Sequence, residues 1–214
     1  MSLAPRHNLT GDGQEDRMGT ATVTCDENHI YRVDGIVKPG FSEIKESYGI
    51  GANAFYTEAG REEGTALHKW LLFLAQGKDP ASDPDYRIAG RVAAIRKFLK
   101  ETGFKIHGGE VPFHSTRGDF CCTPDLWGMF QGQAAIFEAK RGAKESWHVL
   151  QTAAQKIALQ ANGVFIRERY NLYLKNDGTY RLDPHKDQSN EYDWLALAAA
   201  WHIKRKFQKG GRAK

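Results

Sequence analysis

Thr123-Pro124-Asp125-Leu126-Trp127-Gly128-Met129-Phe130-Gln131-Gly132-Gln133-Ala134-Ala135-Ile136-Phe137-Glu138-Ala139-Lys140 is the stretch that decides the fold. Phe120 to Phe130 and Ala134 to Lys140 are rich in aromatic and apolar residues and flank Gln131-Gly132-Gln133, so they read as two strands joined by a turn. Side chains two apart in a strand share a face, which places Glu138 and Lys140 together. Asp125, on the preceding strand, comes beside Glu138. Ile136 and Phe137 mark the later strand as apolar and central, where a charged pair needs a reason. Two carboxylates at the end of a sheet attract a hard divalent cation such as magnesium, and the Ala139 carbonyl offers another oxygen. The Lys140 ammonium can orient or help deprotonate an attacking water and stabilise charge on a phosphate. The structural alternative is a cross-face ion pair on a surface strand.

Working outward, Lys105 to Ser115 reads as the first strand of the same three-stranded meander. Before it lie a hairpin (Ile30 to Val33, turning at Asp34-Gly35 into Ile36 to Lys38) and a short helix that Ser42 can cap. Ala66, Leu67, Trp70, Leu71 and Leu74 recur at helical spacing within Glu62 to Ala75, ended by Gly77. Ile88, Val92, Ile95, Phe98 and Leu99 mark a second helix closed by Gly103. After the meander come a helix from about Glu145 to Asn162 and a hairpin, Val164 to Leu174 and Thr179 to Leu182, around Asn176-Asp177-Gly178. A last helix runs from about Asn190 into the C-terminal tail. The order predicts a mixed α/β domain with a central mixed sheet flanked by helices.

A length of 214 residues suits one domain with a proper core, and 41% hydrophobic with 26% charged residues fits a soluble globular chain. No apolar run approaches the ~18 to 20 residues a membrane helix needs. Met1 to Thr24 lacks a signal core, and residues 1–29 read as a flexible or irregular arm before a domain at 30–205 and a basic tail at 206–214. Three cysteines, two of them adjacent, argue against a disulfide framework and for a cytoplasmic setting, and exclude a four-cysteine zinc or iron–sulfur site. Net charge is +4, yet Lys204, Arg205, Lys206, Lys209, Arg212 and Lys214 crowd the end, so the body is near neutral. That basic stripe is either a solvated, fraying helix end or a phosphate-contacting tail.

The Pro124-Asp125 and Glu138-Ala139-Lys140 pair resembles the signature of the PD-(D/E)XK nuclease superfamily. Arg61-Glu62-Glu63-Gly64-Thr65-Ala66-Leu67-His68 is similar to the helical first motif of its RecB-type exonuclease branch, Gly128 to that branch's glycine-containing strand, and Gln151-Thr152-Ala153-Ala154-Gln155 to its glutamine-x-x-x-tyrosine motif. The segment from Tyr170 through Tyr180 to Trp201 resembles the terminal hairpin and helix of phage and prophage members. The resemblance covers roughly residues 30 to 205. It implies a restriction-endonuclease-like core and a magnesium- or manganese-dependent deoxyribonuclease of bacterial or phage-infected cells, without an iron–sulfur cluster. It implies an exonuclease of recombination, replication or repair, acting on DNA, with a single-strand annealing protein as a possible partner and oligomerisation open. An endonuclease of the same superfamily and a non-catalytic DNA-binding subunit of the same fold are the alternatives.

The resemblance further implies His68, Asp125 and Glu138 as metal ligands, with Glu110 as a candidate for a second metal site, and Gln151 as a support for Lys140. His68 is otherwise a core or boundary residue on an amphipathic helix, with Gly64 one turn earlier allowing close approach of backbone or DNA. Gln151 is otherwise a solvated polar residue, and Glu110 a surface strand carboxylate. Gln155 stands where the branch has tyrosine, which puts a stacking or hydroxyl role there in doubt. Arg141 and Lys144 can track a DNA backbone, joined by Lys204, Arg205 and Lys206 of the tail. Trp147 either stacks a base or packs in the core. Cys121 and Cys122 read as strand residues.

Overall fold

The chain alternates short strands with helices around one central sheet, and the computed structural model describes residues 21–51, 57–78, 80 and 83–210. A three-stranded antiparallel sheet opens it: β1 (Val23–Cys25), β2 (Tyr31–Val33) and β3 (Ile36–Lys38) in that order, followed by α1 (Phe41–Glu46). Then come α2 (Glu58–Ala75) and α3 (Ala89–Thr102), then β4 (Lys105–Gly108), β5 (Phe113–Ser115), β6 (Phe120–Cys122), β7 (Leu126–Phe130) and β8 (Gln133–Lys140). The chain finishes with α4 (His148–Ala161), β9 (Glu168–Leu174), β10 (Tyr180–Pro184) and α5 (Ser189–Gly210).

The central sheet has the order β10-β9-β8-β7-β4. β8 pairs antiparallel with β7 and parallel with β9, so α4 is the crossover that a parallel connection requires. On one face α2 and α3 bury Leu67, Leu71, Ile95 and Phe98 against Leu126, Phe137 and Leu172. On the other, α4, α5 and α1 bury Ala154, Ile157, Trp194 and Phe41 with Phe120 and Cys122, and Leu159 meets Ile136. Each fully buried large side chain contributes roughly 1.5–3 kcal/mol. Gly128 is required where it stands, because a Cβ there would lie 1.9 Å from the Lys105 carbonyl oxygen of β4. Among the described residues no helix is long and apolar enough to cross a membrane.

The mixed α/β architecture with a mixed central sheet between helices is the one the sequence predicts; several details differ. Two of the three longest expected strands each break in two, and the third, Val164 to Leu174, starts only at Glu168. β4 and β5 part at Gly109 to Pro112, β6 and β7 at Thr123 to Asp125, and β5 with β6 forms a separate two-stranded ribbon. Proline cannot donate to a ladder, which weakens both stretches as continuous strands. Instead the Glu110 amide donates to the Pro124 carbonyl at 2.8 Å, joining the two breaks. Val23–Cys25, expected within an irregular arm, pairs with β2 because Val23 and Cys25 pack against Tyr31, Val33 and Cys121. Ser42 lies inside α1, which starts after Gly40, and caps nothing. α2 begins earlier than expected, where the Thr57 hydroxyl accepts from the Gly60 amide at 3.1 Å. Residues 1–20 of the expected arm, and Arg212 and Lys214 of the tail, lie outside the described residues.

Candidate metal and catalytic site

The two strand breaks aim acids at one point. Leu126 pairs with Phe137, so Asp125, just before β7, comes level with Glu138. Its Oδ2 accepts from the Ala139 amide at 2.7 Å. Glu110 sits between β4 and β5 with φ +54, a left-handed conformation that a non-glycine residue holds at a cost. That turn brings its Oε1 to 2.7 Å from Nδ1 of His68, which reaches in from α2. The same nitrogen is 3.5 Å from Asp125 Oδ1. Ligand atoms of His68, Glu110 and Asp125 all lie within 4.8 Å of one another. A nitrogen and two carboxylates at that spacing can hold a metal ion.

Glu138 stands beside this group on the face of β8 that α4 covers, and both its oxygens are engaged. Oε1 meets the Lys140 ammonium at 3.0 Å and the Gln151 amide nitrogen at 2.6 Å, while Oε2 accepts from Gln155. Lys140 in turn donates to Gln151 Oε1 at 2.6 Å. Glu138 and Lys140 therefore share a face, as the strand alternation requires. Gln151 lies between them and not on a solvated surface. It is Glu110, more than Glu138, that the structure brings against His68.

The electrostatics of the cluster are those of crowded, buried acids beside one imidazole. Burial first, and the neighbouring Glu138 charge second, push the Asp125 carboxyl well above the ordinary carboxylate range, with His68 opposing. Burial likewise raises Glu110 against the pull of His68. For His68, burial favours the neutral ring, but Asp125 and Glu110 outweigh it and push the imidazole up to about 10. About half of the His68 side chain is open to solvent, so it forms the rim of a site whose floor, Asp125 and Glu138, is 2% and 3% exposed. A divalent ion would compensate the same charges without holding protons there.

Other expected residues fall into place differently. Arg141 is tied to Glu63 of α2 at 3.2 Å, and Lys144 to Asp183 of β10 at 2.8 Å. The group that approaches Gly64 is the Arg141 guanidinium, 3.6 Å from where a Cβ would stand, so that glycine faces a side chain. Trp147 packs against Phe41 and His148 under two ammonium groups, Lys45 at 4.2 Å and Lys140 at 5.4 Å, which favours the core alternative over base stacking. In the tail, Lys204 donates to the Ser47 carbonyl at 3.3 Å and Arg205 lies over the Trp201 ring. Cys121 and Cys122 are buried free thiols on β6. The sequence left the role of Gln155 in doubt and did not single out Lys45. Gln155 was legible, because four residues after Gln151 is the same face of a helix. Lys45, buried on α1 with its ammonium on the Ile50 carbonyl at 3.0 Å, had no local signal.

No protein-family model and no curated protein matches the sequence. Among solved structures, the fold is similar to an alkaline exonuclease from Laribacter hongkongensis, with 16% identity over 80% of this chain and 94% of that one, at a TM-score of 0.39. A likeness at that level assigns neither fold nor activity.

Proposed function

We propose that the chain is a metal-dependent nuclease that hydrolyses DNA phosphodiester bonds. The observation that carries this reading is the meeting of three largely buried carboxylates, Glu110, Asp125 and Glu138, with His68 and Lys140 at one end of the central sheet. His68, Asp125 and Glu138 would hold magnesium or manganese, with Glu110 and the Ala139 carbonyl as further oxygens. When bound, such an ion polarises a phosphate and lowers the pKa of a coordinated water. Lys140 presents an ammonium, fixed by Glu138 and Gln151, to the attacking water or to charge developing on the phosphate. Gln151 spans Lys140 and Glu138 and keeps base and acid at fixed separation. Gln155 occupies the second oxygen of Glu138 and so fixes its plane. The whole set is intact, which favours an enzyme over a non-catalytic subunit of the same fold.

Within that class we propose an exonuclease serving recombination, replication or repair of phage or prophage DNA. Digestion of end-labelled linear DNA beside closed circular DNA decides it: loss of the linear substrate with the circle intact supports an exonuclease, and a nicked or linearised circle an endonuclease. The broader reading is tested by Asp125→Ala, Glu138→Ala and Lys140→Ala. Each should abolish metal-dependent cleavage, because residues acting as one unit fail together. More than about a tenth of wild-type activity in folded Lys140→Ala would overturn it.

A further inference from the structure

A cavity of about 430 Å³ opens at the carboxyl ends of β8 and β9, against α3 and the β9–β10 turn. Arg91, Arg141, Lys144, Tyr173, Lys175 and Arg181 line it. Acids offset part of the charge: Glu63 pairs with Arg91 at 3.1 Å and with Arg141 at 3.2 Å, and Asp183 pairs with Lys144. Among the described residues no acid pairs with Lys175 or Arg181, so the cavity keeps a surplus of positive charge. Arg91 and Arg141 share one carboxylate, that of Glu63, so this pair alone leaves one positive charge uncompensated.

The register ties this cavity to the proposed catalytic lysine. Lys140 pairs with Tyr173, and Tyr173 with Arg181, so the three form one row across the sheet. Two strand spacings place the Arg181 backbone roughly 9.5 Å from that of Lys140. The Arg181 guanidinium lies 4.7 Å from the centre of the Tyr173 ring, whose hydroxyl meets His148 Nδ1 at 2.9 Å. A planar cation stacked on an anchored ring is already oriented for an oxyanion. The acid cluster and the cavity thus carry opposite charge at neighbouring positions along one edge.

We infer that the cavity is a second phosphate site, holding a backbone phosphodiester of the DNA strand next to the one being cut, through Arg181 and Lys175. This rests on the nuclease reading and extends it from the reacting bond to the path of the strand. Arg141, directly after Lys140, stands between the two sites.

Binding of a labelled DNA oligonucleotide, measured by anisotropy in calcium with one linkage at a time made a neutral methylphosphonate, tests it. Lys175→Gln with Arg181→Gln should weaken binding by about five- to tenfold, as expected when one or two charge-assisted hydrogen bonds to phosphate are removed. The slope of log affinity against log salt should flatten by ~0.7 to 0.9 for each phosphate that is no longer neutralised. One linkage displaced from the cleavage position should weaken the wild type when neutralised, yet add nothing in the double variant. Both side chains are exposed, so the variant should keep the wild-type thermal midpoint. Wild-type affinity and salt slope in the double variant, with cleavage by the wild type intact, would overturn the second site alone. Absence of metal-dependent cleavage by the wild type would overturn the nuclease reading and the second site with it.

Discussion

Gln155 donates its side-chain amide to Oε2 of Glu138 across the interface between α4 and the central sheet. Its own carbonyl oxygen is buried without a partner. Gln155→Leu removes an unsatisfied acceptor but leaves the buried Glu138 Oε2 without its donor, so stability should fall by about 1–3 kcal/mol in urea unfolding. Cleavage should fall at least tenfold, because Glu138 is left without one of the hydrogen bonds that fix its plane. Full activity in a folded Gln155→Leu protein would remove Gln155 from the site.

Asp125 carries a buried carboxyl pushed above its ordinary range, so in the metal-free fold its charged form opposes folding at neutral pH. Asp125→Asn keeps an acceptor for the Ala139 amide and removes that charge. Its thermal midpoint without metal should equal or exceed that of the wild type. Added manganese should raise the wild-type midpoint by mass action and leave the variant's unchanged. Equal manganese stabilisation of both proteins would place the ion elsewhere.

His148 and His185 are held neutral, each pushed down to about 4, chiefly by burial; for His148 the Lys140 charge adds to it. Below the ordinary value of 6.5 the unfolded chain takes up protons that the folded one refuses. The histidine contribution to stability is thus complete above pH ~6.5 and is lost as pH falls toward ~4. Asp125 and Glu110, both raised, act in the opposite sense, so a comparison isolates the histidine. His148→Gln, which can still meet the Tyr173 hydroxyl, should lose less of its urea midpoint than the wild type between about pH 7 and pH 4.5.

The C-terminal tail offers a change that spares the core. Ile203 and Phe207 are 58% and 73% exposed, so the end of α5 does not depend on them for packing. Changing Lys204, Arg205, Lys206, Lys209, Arg212 and Lys214 to glutamine should weaken DNA binding and flatten its salt dependence, by ~0.7 to 0.9 in slope for each phosphate the tail had neutralised. Wild-type affinity and slope would make the tail a solubilising end.

Much of this was legible because strand alternation and helical spacing are local. Glu138 with Lys140, the β7–β8 turn and the buried face of α2 each follow from a few neighbouring residues. What was not legible depends on chain segments meeting from afar. Pro112 marks a break within Lys105 to Ser115, but no neighbouring residue announces that Glu110 takes a left-handed conformation there, since its amide is held by the carbonyl of Pro124, just after the ribbon that follows. Lys45 of α1 reaches Trp147, which lies at the far end of the sequence's central half. Arg141 was legible as a cation but not as the partner of Glu63, because that pairing requires α2 to lie over the end of β8.

His68 is carried by the layer of α2 and α3, while Gln151 and Gln155 are carried by α4 in the opposite layer, and each layer has its own apolar cluster. The two kinds of failure should therefore separate genetically. Lesions among Leu71, Ile95 and Phe98 would shift His68 and be rescued by excess manganese. Lesions among Ile157, Trp194 and Phe41 would disturb the Glu138–Lys140 pair and resist it. Second-site suppressors from one group should not repair the other, and a screen for them would map the site's two supports without another structure.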